Sequence, residues 1–423
     1  MRKVFITTNA CTVVRHDTYV YSKYFELNGW DEVDSPEEAD IVLVTCCAVT
    51  KKREDQAIKL IENLKGQINK DGKLIVAGCL PKINKKRLKE TYDGVSFTSL
   101  ESDILDKIIT AKISIKDVHY DGCIKKLYHK DHGLDNDNVK NKLKLVQTLA
   151  DIRNDRYYID IFKQLTGGQH HYGEQDDSYL VKIAEGCNFN CSFCATKFVK
   201  GKLVSRNMER IIREFKEGVD KGYKKIMLMG DELGDYGRDI GSSLSELIDK
   251  LIEISDDAKI GIRYLEPNAL VREIPRIYNH IESGKIYFLC TSIQSGSPKV
   301  LKLMNRNPEL QPVINTIKKI RELDPDILLF TQMIVGFPQE TEEDFQMTLD
   351  LINECRFDYV TTSLYSNRPN TKSSELDGQI EQQVIEDRYS KISNLSNLIS
   401  NESFLNRIAR EIAKDTNNDK VIK

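Results

Sequence analysis

The sequence predicts an α/β protein: an N-terminal open parallel sheet with helices on its faces, then a partial (β/α)6 barrel, then a helical tail. Three observations predict it. Apolar, β-branched runs alternate with amphipathic helical stretches, lapse after residue 114 and resume at residue 178. Every strand of the second series ends in a polar or glycine-containing segment, the face on which βα barrels carry catalysis. After residue 376 strand-like runs cease and apolar residues recur at helical spacing. A chain of 423 residues suits more than one domain, and the expected segments are 1–114, 115–177, 178–376 and 377–423.

In the first segment "RKVFITTNAC", "ADIVLVTCCAV" and "GKLIVAGCLP" read as buried strands. Helices are expected between them, one through Tyr19, Tyr24 and Leu27 and one with Ile58, Ile61 and Leu64 on its apolar side. The stretch 115–177 is a connector with inserted structure. It has a helix around Val146–Leu165, a loop holding His170 and His171 that reads as solvated, and Cys123 without companions. The barrel strands are "SYLVKIAEGC", "KKIMLMGDE", "AKIGIRYLEP", "KIYFLCTSIQSG", "DILLFTQMIVGFP" and "DYVTTSLYSNRP", with helical segments such as "MERIIREFKEGVDKG" and "EEDFQMTLDLINEC" between or beside them. The tail places Ile385, Tyr389, Ile392, Leu395, Leu398, Leu405, Ile408 and Ile412 at the spacing of one or two amphipathic helices.

Composition narrows the class. A net charge of −3 gives no global pull toward nucleic acid or membrane, and no apolar run approaches the roughly 20 residues of a membrane span. The opening "MRKVFITTNACTVV" lacks the apolar core and cleavage site of a signal peptide and reads as a strand. Ten cysteines without an export signal point to reduced thiols in a cytoplasm, serving as ligands or catalysts rather than disulfides.

Two cysteine sets stand out. Cys187, Cys191 and Cys194 crowd into "EGCNFNCSFC". Three thiolates can hold three irons of a four-iron cluster and leave the fourth without a protein ligand, whereas full ligation takes four cysteines. Zinc ribbons instead use two CxxC pairs, and no second pair exists here. Cys11, Cys47 and Cys79 each fall just past a predicted strand, at the edge where parallel sheets converge their sites. Cys46 is the lesser candidate of its pair, and Cys290 and Cys355 read as core residues.

CxxxCxxC at the end of the first barrel strand resembles the signature of radical S-adenosylmethionine (SAM) enzymes. The motifs "EGCNFNCSFC…GKLVSR", "IQSGSPKVLKLMNR", "IVGFPQETEEDF" and "YSNRPNT" look like the methylthiotransferases of that superfamily. So do the dispersed cysteines of "TTNAC", "VTCCAVTKK" and "VAGCLPK". The resemblance implies that Cys187, Cys191 and Cys194 hold the [4Fe-4S] cluster that binds SAM and, on one-electron reduction, generates a 5′-deoxyadenosyl radical. Cys11, Cys47 and Cys79 would hold an auxiliary [4Fe-4S] cluster whose open iron presents sulfur for insertion at an unactivated C–H bond. It further implies cofactor contacts at Gly230, Asp231 and Glu232, at the barrel-top positions Arg206, Arg263, Gln294 and Ser295, and at the "VGFP" turn. An electron donor such as flavodoxin or ferredoxin is implied as well.

Relatives of this kind that modify transfer RNA or a ribosomal protein carry a C-terminal TRAM β-barrel, where this sequence has helices. The expected substrate is therefore a peptide or protein, such as a ribosomally made precursor peptide. The stretches "NKKRLKE" and "KDVHYDGCIKKLYHK" read as solvated faces rather than an RNA footprint. The rivals are a transfer-RNA methylthiotransferase without TRAM, a radical enzyme whose second cluster only relays electrons, and a non-catalytic iron–sulfur protein.

Overall fold

The computed structural model describes residues 2–118 and 178–418. The expected helix at 146–165, His170, His171 and Cys123 lie outside the described residues. The chain divides into two compact units. Among the described residues the first unit holds 2–118, 178–254 and 366–376, and the second holds 255–365 and 377–418.

In the first unit the elements run β1 (Arg2–Thr8), α1 (Thr12–Leu27), β2 (Trp30–Glu32), β3 (Ile41–Cys46), α2 (Lys51–Gln67) and β4 (Lys73–Gly78). They continue with α3 (Leu80–Ile83), α4 (Lys85–Thr91), β5 (Ser96–Phe97) and α5 (Ile104–Ile109). The five strands form one sheet of order β2-β1-β3-β4-β5, parallel throughout. Because successive strand residues face opposite sides, Val4, Ile6, Leu43 and Ile75 meet Tyr21, Tyr24 and Phe25 on one face. Phe5, Val42, Val44 and Val76 meet Ile58, Ile61, Leu64 and Leu88 on the other. Burial on both faces explains why the central strands read as continuous apolar runs. The sequence reading missed β2 and β5, since each is an edge strand with a single buried residue, Trp30 or Phe97.

The first unit continues with β6 (Ser178–Lys182), β7 (Ala184–Glu185), α6 (Lys197–Lys200), β8 (Val204–Ser205), α7 (Met208–Asp220), β9 (Lys225–Met229) and α8 (Leu244–Ile252). β6 and β9 pair in parallel. The second unit has β10 (Lys259–Leu265), α9 (Pro267–Glu273), α10 (Tyr278–Glu282), β11 (Ile286–Gln294), α11 (Pro298–Leu303) and α12 (Gln311–Leu323). Then come β12 (Leu328–Val335), α13 (Glu342–Cys355), β13 (Tyr359–Leu364) and α14 (Gln382–Asn418). Strands β10 to β13 lie side by side in chain order, all parallel. All six expected barrel strands are present.

The tail is one helix, α14, and it covers the outer edge of the second unit's sheet. Ser396 Oγ accepts from the Val360 N–H (3.0 Å), satisfying an edge donor that would otherwise face a stranger. The buried side of α14 runs through Ile385, Arg388, Ile392, Ser396 and Ile399. Leu398 and Leu405, expected on the apolar side, are exposed. Polar Ser396 and charged Arg388 take inward positions because edge strand and turn need hydrogen-bond partners there.

Candidate functional site

Cys11, Cys47 and Cys79 all belong to the first unit, where β1, β3 and β4 end level: Thr8 is opposite Thr45, and Cys46 opposite Gly78. Cys46 is the last residue of β3, inside the sheet, and Cys47 is the first past its edge. Cys79 reaches that edge through Gly78, whose φ is +100° and where a Cβ would stand 2.7 Å from the Cys46 carbonyl oxygen. The Cys79 N–H then donates to that same oxygen (2.8 Å). Asn9 was not singled out from sequence, yet it stitches the edge together. Its Oδ1 accepts from the Cys47 N–H (2.9 Å) and its Nδ2 donates to the Arg53 carbonyl (3.0 Å). A buried asparagine in "TTNAC" was the available signal.

The three thiols lie near enough to feel one another's charge. Burial pushes Cys47 up to about 11, helped by Cys11, and pushes Cys79 up as well. Arg53 and Arg368 oppose the shift at Cys47. Arg368 sits in "YSNRPNT", 314 residues from its ion-pair partner Glu54 on α2, and both are buried. Glu54 also accepts from Arg87 Nη1 (2.5 Å) and Asn84 Nδ2 (3.1 Å).

The second set follows β7. Gly186 has φ +82° and a Cβ would meet the Lys202 carbonyl at 2.2 Å, so only glycine admits the turn into Cys187. The loop is closed by the antiparallel β7–β8 pair, by Cys187 N–H to Gly201 O (3.2 Å), and by Cys194 N–H to Cys191 O (3.3 Å). Cys191 is buried, and Cys187 and Cys194 are half-buried. Burial pushes Cys187 up to about 12. Among the described residues no three Cys, His, Asp or Glu side chains converge on a single metal ion. In a four-iron cluster each thiolate takes its own iron, so convergence on one point is not what that group asks for.

A buried four-charge network, unremarked in the sequence, joins α1 to the base of this loop. Lys182 Nζ lies 3.2 Å from both Asp17 and Glu185, and Lys200 Nζ lies 3.2 Å from Asp17 and 2.7 Å from Glu185. Burial opposes ionisation of Asp17, but the two ammoniums hold its carboxyl well below the usual range. Its residues lie far apart in sequence, which is why periodicity did not reveal them.

The remaining candidate positions divide. Gly230 closes β9, where a Cβ would stand 2.8 Å from the Ala184 carbonyl. Asp231 accepts from the Gly186 N–H (2.8 Å), directly behind Cys187. Glu232 is buried and accepts from the N–H groups of Gly234 and Asp235 (2.7 and 2.9 Å). Arg206 is committed to Glu214 (2.8 and 2.5 Å). In the second unit Ser295 accepts from the Ser297 N–H (3.1 Å) and faces Thr348. Arg263 lies over the Tyr264 ring (4.7 Å) and is buried. Gln294 is buried and non-glycine with φ +81°, a strained conformation of the sort that gathers at functional sites. The "VGFP" turn is pinned by Glu340, whose Oε2 accepts from the Gly336 N–H (2.8 Å) and from Arg388 (2.7 Å).

Parallel βα strands and a three-cysteine loop after the first of them define a radical SAM enzyme. Residues 181–352 match the radical SAM superfamily, and residues 3–98 match the uncharacterized protein family UPF0004. Similarity extends further. A probable threonylcarbamoyladenosine tRNA methylthiotransferase of Archaeoglobus fulgidus is 31% identical, covering 88% of this chain and 78% of the relative. A ribosomal protein uS12 methylthiotransferase of Protochlamydia amoebophila is 26% identical over 91% of this chain and 74% of its own. Among solved structures, the radical SAM methyltransferase TsrM of Kitasatospora setae shares the fold, with a TM-score of 0.57 at 12% identity over 88% of this chain and 77% of that one. The chain belongs to the radical SAM methylthiotransferase family. It is an enzyme whose cofactors are SAM and two [4Fe-4S] clusters. Among the described residues no helix is long and apolar enough to cross a membrane.

Proposed function

We propose that this enzyme inserts a methylthio group at a C–H bond of a transfer-RNA base. In this reading Cys187, Cys191 and Cys194 hold the SAM-binding cluster, and Cys11, Cys47 and Cys79 hold the auxiliary one. The cofactors, once bound, supply the carbon radical and the sulfur. The chain's own residues align and shield. Asn9 and Gly78 hold the auxiliary thiols at one sheet edge, Asp231 fixes the turn before Cys187, and Gln294 offers a buried side chain on a strained backbone at the end of β11.

The observation that carries the RNA reading is local charge. Residues 51–90 hold twelve Lys and Arg against five Asp and Glu, in a chain of net charge −3. Lys51, Lys52, Lys85 and Lys86 are exposed in the first turns of α2, which follows Cys47, and of α4, which follows Cys79 after the short helix α3. Cations beside a reacting site are what phosphate backbones need. The peptide preference drawn from sequence rested on helices standing where relatives carry a TRAM barrel, with the whole-chain charge in agreement, and that charge hides this face. A protein substrate stands as the second reading, favoured by similarity to the ribosomal-protein enzyme.

Binding to bulk transfer RNA across a salt series tests the choice. RNA recognition predicts a steep loss of affinity with salt. The slope should fall by about 1 for each phosphate-contacting lysine changed to Gln among Lys51, Lys52, Lys85 and Lys86. Salt-independent or absent binding, with peptide-dependent 5′-deoxyadenosine release, selects the second reading. Iron content tests the cluster assignment. A Cys187/Cys191/Cys194 triple-alanine variant should keep about half of the wild-type iron, one four-iron cluster of two. An essentially iron-free variant removes the auxiliary site.

A further inference from the structure

Residues 366–376 leave β13 and belong to the first unit, where they touch both cysteine loops. Ser366 Oγ accepts from the Lys51 N–H (2.8 Å), four residues after Cys47, and the Ser373 N–H donates to Ser192 O (3.0 Å), between Cys191 and Cys194. Between these anchors Arg368 is 2% exposed and paired with Glu54 on the first turn of α2. Its Nε–H finds no acceptor among the described residues.

A buried guanidinium is costly, and a single carboxylate does not balance the charge here. Glu54 receives two guanidiniums, from Arg368 and Arg87, while Arg87 also reaches Asp55 (2.5 Å). Arg53, one residue before Glu54, is bound through Asn9 to the Cys47 loop. Three cations and two anions thus stand at the head of α2, an excess of positive charge beside the auxiliary thiols. A cluster gains negative charge on reduction, so a nearby buried cation favours its reduced state. Net charge and hydrogen bonding are the levers by which proteins set such potentials.

We propose that Arg368, restrained by Glu54, raises the reduction potential of the cluster held by Cys11, Cys47 and Cys79. This rests on the cluster assignment above. Arg368 acts from beside the thiols as a positioning charge, with Glu54 its opposing partner.

The test uses the full chain with Cys187, Cys191 and Cys194 changed to Ala, reconstituted anaerobically. Iron and sulfide are counted first. The cluster is then titrated with dithionite as the one-electron reductant and followed by electron paramagnetic resonance. In that background Arg368→Gln should lower the midpoint and Glu54→Gln should raise it. Each should change the reduced-to-oxidised ratio about tenfold at fixed potential, which is ~59 mV for one electron. Arg368→Lys, which keeps the charge, should stay near the parent. Purely structural damage would move the Gln variants the same way, and that result, or no shift with iron retained, overturns the proposal. Should Arg368→Gln lose its iron, the Glu54→Gln and Arg368→Lys midpoints decide. A parent without iron overturns the auxiliary assignment and this inference with it, whereas a loaded parent with unshifted midpoints overturns this inference alone.

Discussion

At Gly78 the backbone takes φ +100°, and a side chain would press on the Cys46 carbonyl that receives the Cys79 N–H. Gly78→Ala is expected to cost about 2 kcal/mol of unfolding free energy and to lower reconstituted iron toward half, read by urea denaturation and iron assay. Gly66 is the contrast, an exposed glycine inside α2 with nothing within 4 Å of a new Cβ. Gly66→Ala should stabilise by about 0.5–1 kcal/mol. Asp17 makes a second residue-scale prediction. Asp17→Asn leaves two buried ammoniums with Glu185 as their remaining ion-pair partner, and should destabilise by about 3 kcal/mol. The carboxyl is depressed in the fold, so its stabilisation is present above its ordinary 3.8 and is lost as pH falls through the lower folded value. Acid titration of stability should therefore steepen below pH 3.8 in wild type and flatten there in the Asn variant.

Among the elements, α14 is the one whose role changed most between sequence and structure. Its apolar spacing was visible, but not that Arg388 and Ser396 would face inward, because their partners Glu340 and Val360 come from other elements. Removing one member of the buried pair, Arg388→Met, should cost about 3–5 kcal/mol, while Arg388→Met with Glu340→Gln should recover much of that. Thermal unfolding of the two variants checks it. The central strands were the most legible elements, since near-continuous apolar runs at β3 and β4 admit little else. The short helix α9 escaped notice because its start depends on Glu266, whose carboxylate accepts from the Asn268 N–H (2.7 Å) behind Pro267, rather than on periodicity.

For the molecule as a whole, stability is linked to its cofactors. Burial holds Cys47 up at about 11 and Cys187 at about 12, so on the proposed assignment their ligation as thiolates would release protons. Loss of iron to a chelator should therefore slow as pH rises from about 6.5 to 8.5, measured anaerobically by chelator absorbance. The placement of both cysteine sets was readable in advance, one in a single loop from close spacing and the other at one sheet edge because every member follows a strand. The surrounding support was not. Asn9, Arg368 and the Asp17–Lys182–Lys200–Glu185 network act through contacts that no local window contains.

Those distances have a consequence for how the chain is made. Lys182 and Lys200 emerge from the ribosome 165 and 183 residues after Asp17, and Arg368 emerges 314 residues after Glu54. The N-terminal sheet can form early from its own strands, but its thiol-bearing edge stays unfinished until Arg368 has been translated. Iron and sulfide delivered before that point would meet a half-built pocket. On the proposed assignment, loading of the auxiliary site is expected to wait for the arrival of Arg368.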